Sequence, residues 1–359
     1  MLSSLEGITV GYRYAYPVAR VSARRSFLLS EKQLASIAEA DNLEDAVNIL
    51  SGTVYDFVSQ ISEELSIEQA LNKNLVETLL EIHKFLPSDA QEVFLYCLGK
   101  YETLNIKSIL AGVYAGLPKE EITKSIVPIN LELTEHFYSD LASLKSVEDV
   151  VSHLEETPYG FLIKILPKYE ETGLLLPLNT ALDRFAYERA YEVASSFKGP
   201  DIELLKKMIG TEIDIINIKT ILRLKAAGVK VDDIAGYLIP HGYELEGKLP
   251  SFYKLESIAD GIEVLKNTAY YEPLSSALKG YSQYEISSYE TIKRLGPFER
   301  ALDEFYIRFG RTLYMEQSMG MGAVLRYVIE KTREIRNLIT MLKLKAEGFS
   351  PEEIKKWKT

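Results

Sequence analysis

Apolar residues recur along this chain at three- and four-residue spacing, and strand-like alternation is nowhere sustained. In EKQLASIAEADNLEDAVNIL they are Leu34, Ile37 and Ala38, then Leu43, Ala46, Val47 and Leu50, the stripe of helices with one buried side. NKNLVETLLEIHKFL keeps this period up to Pro87. A longer helical stretch is expected from Asp89 to Ala115, with a break near Gly99. The predicted fold class is all-α. The opening of the chain reads differently. Tyr12, Tyr14 and Tyr16 alternate ahead of Pro17, which predicts an extended segment, then a helix after the proline with Val18, Val21 and Leu28 on its apolar side.

One helical stretch occurs three times. With Asn105, Asn217 and Asn337 aligned, an acid stands three residues earlier in each copy: Glu102, Asp214 and Glu334. Eleven residues later comes Gly116, Gly228 or Gly348, and seventeen later an isoleucine behind two acids: Ile122, Ile234 or Ile354. The glycine reads as a left-handed helix stop, and the acids as the first turn of a second helix. In the third copy Ser350 is placed to cap that helix and Pro351 to begin it. The Asn stands mid-helix on an apolar background, which predicts a buried amide that must find hydrogen bonds to backbone or to a neighbouring acid. Three equivalent asparagines in one chain argue against an active-site role.

A second motif precedes each copy. Asp45, Asp149 and Asp260 are followed by Leu50, Leu154 and Leu265, then Thr53, Thr157 and Thr268, then Tyr55, Tyr159 and Tyr270. Ala181-Leu182-Asp183 with Phe185 matches Ala301-Leu302-Asp303 with Phe305, and Ala70-Leu71-Asn72 is a weaker first version. The motifs divide the chain into an N-terminal segment plus first helical repeat over 1–130, a second repeat over 131–250 and a third over 251–359. The clearest boundary loop is IPHGYELEGKLP.

The motif set, in triplicate and in one order, together with YRYAYPVARVSARRSFLL at the start, resembles the C subunit of the archaeal and bacterial A/V-type rotary ATP synthases. It is more distantly similar to the d subunit of the vacuolar ATPase. The resemblance spans essentially the whole chain. It implies three helical domains closed into a pseudo-threefold funnel, and a non-catalytic adapter between central-stalk subunits of the D and F type and the membrane proteolipid ring. It also implies a peripheral position on the cytoplasmic face of the membrane. A free-standing helical repeat scaffold that binds a protein partner is the alternative, and an all-α enzyme a third reading.

Composition narrows these readings. The chain has 359 residues and a formal charge of −11, which argues against nucleic acid as its partner. No apolar run approaches the ~20 residues that a membrane-spanning helix needs. The start of the chain lacks the charged and apolar regions of a secretory signal. The lone Cys97 cannot form an internal disulfide. Four scattered histidines have no metal-ligand spacing, and no phosphate-binding glycine loop or nucleophile elbow is present. Gly320 and Gly322 form an isolated Gly-x-Gly with no strand before it. No catalytic residue, metal, cofactor or small-molecule substrate is therefore expected.

The densest basic cluster is Arg13, Arg20, Arg24 and Arg25. It reads first as a solvated or internally salt-bridged face and second as a docking surface for an acidic partner or a neighbouring subunit, and on the family resemblance these arginines are one candidate contact region. The loops around Asn130–Leu133 and His241–Gly247 are the other candidate contact regions.

Overall fold

The computed structural model describes residues 2–61, 66–282 and 294–355, and the side chains of 2–11 and 355 are outside the description. Among the described residues every regular element is helical. Among the described residues the long helices are α1 (Leu2–Arg25), α2 (Ile67–Phe85), α3 (Ser88–Tyr114), α4 (Leu176–Ser196), α5 (Pro200–Ala226), α6 (Gly296–Glu316) and α7 (Met321–Ala346). The pairs α2–α3, α4–α5 and α6–α7 are joined by short turns, and the Asn-centred stretch forms the later part of α3, α5 and α7.

Packing groups the chain into two compact units. One comprises 1–91, 101–163 and 310–359, and the other 92–100 and 164–309. In the first, α1 and α2 both pack on α7. In the second, α4 packs on α5, and Ile218, Ile221, Phe252, Ile258, Leu265 and Phe298 belong to one continuous core. These units cut across the three sequence copies, because the long helix of one copy packs on opening segments of the next.

Two expectations about local structure are corrected. The segment before Pro17 is helical, not extended, since α1 runs unbroken with Pro17 inside it. The alternating tyrosines fit a helix as well as a strand. Tyr12 and Tyr16, one turn apart, are 88% and 60% exposed, while Tyr14 is fully buried. Tyr14, Val18 and Val21 make one buried stripe, and this burial outweighs the backbone hydrogen bond that proline removes. Likewise α3 is continuous through Gly99. A mid-helix glycine costs only ~1 kcal/mol, and the flanking Val93, Phe94, Leu98 and Tyr101 are all buried.

The helix stops are the same in all three copies. Gly116, Gly228 and Gly348 have φ of 66°, 74° and 82°. The N–H of the following residue reaches back along the helix in each: Leu117 to Gly112, Val229 to Leu224 and Phe349 to Leu344, at 2.9–3.0 Å. Each stop turns the chain so that Ile122, Ile234 or Ile354, at most 2% exposed, enters the core. A Cβ at Gly228 would meet nothing within 4 Å. Gly228→Ala is therefore expected to cost about 1 kcal/mol of purely conformational origin, read from a shifted urea midpoint at unchanged slope.

Candidate functional site

The repeated polar residues converge on two kinds of buried contact. The first is an amide clamp. Asn105 donates from Nδ2 to the Val127 carbonyl and accepts the Val127 N–H at Oδ1, both at 2.8 Å. Asn217 does the same with Ile239, at 2.7 and 2.9 Å. The partner lies twenty-two residues after the Asn in both copies. Each clamp ties an irregular segment to the helix that preceded it and satisfies both of its buried backbone groups. Asn337 is also buried, and the residue twenty-two beyond it, Thr359, lies outside the described residues.

The second contact links successive copies. Glu102 accepts the Tyr159 hydroxyl at 2.9 Å, Asp214 accepts that of Tyr270 at 2.9 Å, and Glu334 accepts that of Tyr55. The same carboxylates take a backbone N–H: Leu133 to Glu102 at 2.9 Å, Glu244 to Asp214 at 2.7 Å, and Leu29 to Glu334 at 2.5 Å. Leu133, Glu244 and Leu29 lie sixteen residues before Asp149, Asp260 and Asp45, the motif aspartates. So the acid of the first copy holds the second, the acid of the second holds the third, and the acid of the third holds the first.

Local sequence explains how each tyrosine reaches its acid. Thr53, Thr157 and Thr268 donate to the carbonyls of Leu50, Leu154 and Leu265 at 2.6–2.8 Å, and each accepts the N–H of its tyrosine. This side-chain turn ends a short helix and turns the ring inward, where Tyr55, Tyr159 and Tyr270 are at most 2% exposed. Burial first, and the facing carboxylate second, push all three phenols far above their ordinary pKa, so they remain donors.

The acids differ from one another. Burial pushes Asp214 up to about 6 against the hydrogen bonds it receives, and it also raises Glu334. Beside Glu334, Lys331 donates to the Tyr55 oxygen at 2.6 Å and is pushed down to about 8 by burial.

Three lysines complete the linkage. Lys225 donates to the carbonyls of Tyr253 and Leu255 at 2.8 and 2.5 Å, and Lys345 to that of Ala40. Both lysines stand eight residues after their Asn, a correspondence the repeat alignment contains and residue-by-residue reading overlooks. The third is Lys100, five residues before Asn105, which meets Glu212, five before Asn217, at 2.8 and 2.9 Å. Glu212 also accepts from Tyr187 at 2.9 Å and from Tyr306. Burial pushes its carboxyl upward, but Lys100 and the hydroxyl donors outweigh burial and hold it below the usual range.

The N-terminal arginines are engaged within the chain. Arg13 pairs with Asp89, Arg24 with Glu81 and Arg25 with Glu330, while Arg20 lies 5.9 Å from the ring centres of Tyr16 and Phe85. The loop at Asn130–Leu133 is pinned by three N–H bonds to Glu102, and the loop at His241–Gly247 by Asp214 and by the Gly210 carbonyl. Among the described residues no group of three or more His, Cys, Asp and Glu could hold a metal ion. Burial pushes the Cys97 thiol up to about 12, which makes it a poor nucleophile. What this geometry does is hold helices to one another.

Comparison with known proteins agrees across the whole chain. The sequence model of the ATP synthase (C/AC39) subunit family matches residues 17–357. The C subunit of the A-type ATP synthase of Methanothermobacter thermautotrophicus is 35% identical over 358 residues, covering 99% of this chain and 90% of that protein. Its namesakes in Methanosphaera stadtmanae and Haloferax volcanii are 33% and 28% identical. They cover 96% of this chain in both cases, and 87% and 97% of their own lengths.

Proposed function

This chain belongs to the ATP synthase (C/AC39) subunit family, and from that premise we propose that it is the adapter joining the soluble central stalk of a rotary ATP synthase to its membrane ring. As a member of the family it is an accessory subunit of an A/V-type ATP synthase, not the catalytic one, and its partners are other subunits of that complex. In the proposed role it binds central-stalk subunits of the D and F type on one side and the proteolipid ring on the other. It turns with both, on the cytoplasmic face, and passes torque between them.

The observation that carries this reading is the cyclic order of the buried links. Torque transmission requires a body that does not yield between its two contact surfaces. Carboxylate–tyrosine links running from first copy to second, second to third and third to first are what a closed pseudo-threefold funnel needs. No helix among the described residues is long and apolar enough to cross a membrane, which suits a peripheral subunit.

Contacts with neighbouring subunits are assigned to the exposed side of α1, where Tyr12, Tyr16 and Arg20 stand, and to the loops at Asn130–Leu133 and His241–Gly247. Arg13, Arg24 and Arg25 would serve there through the shape their internal ion pairs give to α1.

The test is co-purification from gently solubilised membranes of the native host, with this chain tagged. Recovery of a small proteolipid together with stalk subunits is the expected result. A wholly soluble chain that brings down neither would overturn the adapter role in favour of a free-standing repeat scaffold. Arg20→Glu should reduce that recovery while leaving the melting temperature within about two degrees, since such surface changes are small in stability terms; undiminished recovery would remove α1 from the contact.

A further inference from the structure

We propose that the link at Asp214 is a protonation-sensitive hinge: charged, it lets the loop 239–247 open from α5 far more readily than the matching loop at Glu102 opens from α3, and protonated, it locks. The hinge is a property of the chain alone and stands whether or not the adapter role holds.

The three links are unequal in what their carboxylates receive. Glu102 is fully served, by the N–H groups of Leu131, Glu132 and Leu133 and the hydroxyls of Tyr138 and Tyr159. Glu334 has one donor on each oxygen, Tyr55 on Oε1 and Leu29 on Oε2, with the Lys331 ammonium behind the tyrosine. Asp214, shorter by one methylene, receives the Glu244 N–H and the Tyr270 O–H on the same oxygen, Oδ2, and the Leu245 N–H also helps hold its charge. Its Oδ1 is buried with no hydrogen-bond partner. A Cβ on Gly242 would fall 2.0 Å from that oxygen, so the bare glycine backbone covers it and leaves no room there for water.

The loop over Asp214 is itself held in an uncommon conformation. His241 has φ 69°, the positive-φ position occupied by a residue other than glycine among the described residues. Its ring stacks on Tyr191, 4.4 Å between centres. No cation is among the groups that shift Asp214, and Lys207, also on α5, stands instead 5.5 Å from the centre of the loop's Tyr243 ring. Glu244 on the loop adds a like charge while its carboxylate accepts the Ala269 N–H, and Tyr270 is a neutral donor. On α5 itself, Glu212 is occupied by Lys100. A charged Asp214 thus sits with one oxygen unserved under a strained loop, and a proton removes the charge whose burial is costly.

The direction follows from linkage. Closed, the Asp214 carboxyl titrates at about 6; open and hydrated, it returns to the ordinary 3.8. The closed form therefore binds more protons between those values, and opening becomes easier as pH rises through that window. The full change is about 100-fold in the open-to-closed ratio, with a plateau above about pH 6.

Amide hydrogen exchange on the full chain tests this, in dilute solution because the sequence pI is about 5.1. After correction for intrinsic rates, the amides of Tyr243, Glu244 and Leu245 should gain roughly 20-fold or more protection between about pH 7 and about pH 4.5. Leu131, Glu132 and Leu133 in the same sample provide the reference and should show no such gain. In Asp214→Asn the loop should be protected at neutral pH as the parent is in acid, with the pH response gone. Parallel profiles for the two loops in the parent chain would overturn the proposal, as would a pH response that survives in Asp214→Asn. If that variant does not fold, the comparison of loops in the parent chain decides alone.

Discussion

Replacing Asn217 with alanine is expected to lower the unfolding free energy by about 3–5 kcal/mol, a large share of the stability of most domains. The loss does not come from the helix, where alanine is the better former. It arises at Ile239, 2% exposed, whose N–H and C=O are both satisfied by the Asn217 side chain. Without the amide both groups stay buried and unpaired, at about 1–3 kcal/mol each. Asn217→Asp should be no milder at neutral pH, because it keeps an acceptor for the N–H but turns a charged oxygen toward the carbonyl. Asn105→Ala should match Asn217→Ala, since Val127 is bonded in the same way. Urea unfolding monitored by circular dichroism would measure all three. A cost below about 1 kcal/mol at both positions would mean that the clamp is dispensable and that neighbouring burial holds these segments.

Lys100→Met should be as severe, also about 3–5 kcal/mol, for an electrostatic reason. Glu212 is 13% exposed, and Lys100 is the cation that offsets its burial. Its folded pKa lies below the ordinary value, so the stability it contributes is present above the unfolded pKa and is lost as pH falls through the folded one. Without Lys100 only the Tyr187 and Tyr306 hydroxyls oppose burial, and the carboxyl should move above its ordinary value. The folded form then binds the extra proton, and stability should rise as pH falls from about 7 toward about 5, reversing the parent's slope for this group. Adding Glu212→Gln to Lys100→Met should recover most of the loss, because the neutral amide can still accept from Tyr187 and Tyr306 and no charge is stranded. A double variant as unstable as the single one would show that the lysine stem, rather than its charge, supports this contact.

These two changes act on features that differ in how far the chain announces them. Asn217 is conspicuous because a polar amide interrupts an apolar helix at the same place three times. Its burial and its need for partners follow from that pattern, whereas the identity of the partner, a backbone unit twenty-two residues away, does not. Lys100 and Glu212 look like ordinary surface charges on amphipathic helices. Only their matching distance from Asn105 and Asn217 hints that they occupy equivalent positions, and nothing in either helix indicates that they meet. The N-terminal arginines show the converse. Their density fits an internally paired face or a docking surface alike, and three of them lie in ion pairs with acids whose identity, distant in sequence, the cluster does not reveal.

What the amino-acid order determined by itself is local and repetitive. The helical period, the left-handed glycine stops, the Ser350 cap, the threonine turn that aims each tyrosine and the order of the three copies all depend on residues within a few positions of one another. Propensity, capping and turn chemistry act over that range, so they can be read directly. Tertiary structure decided whatever depends on which surfaces meet. It carried α1 through Pro17 and α3 past Gly99, because burial along those helices outweighs the local cost of either residue. It chose backbone groups as partners for Asn105 and Asn217, matched the carboxylate of each copy to the tyrosine of the next, and left Asp214 with one oxygen unserved. Those outcomes turn on desolvation and on distances between segments far apart in the chain, and such quantities exist only once the chain has folded.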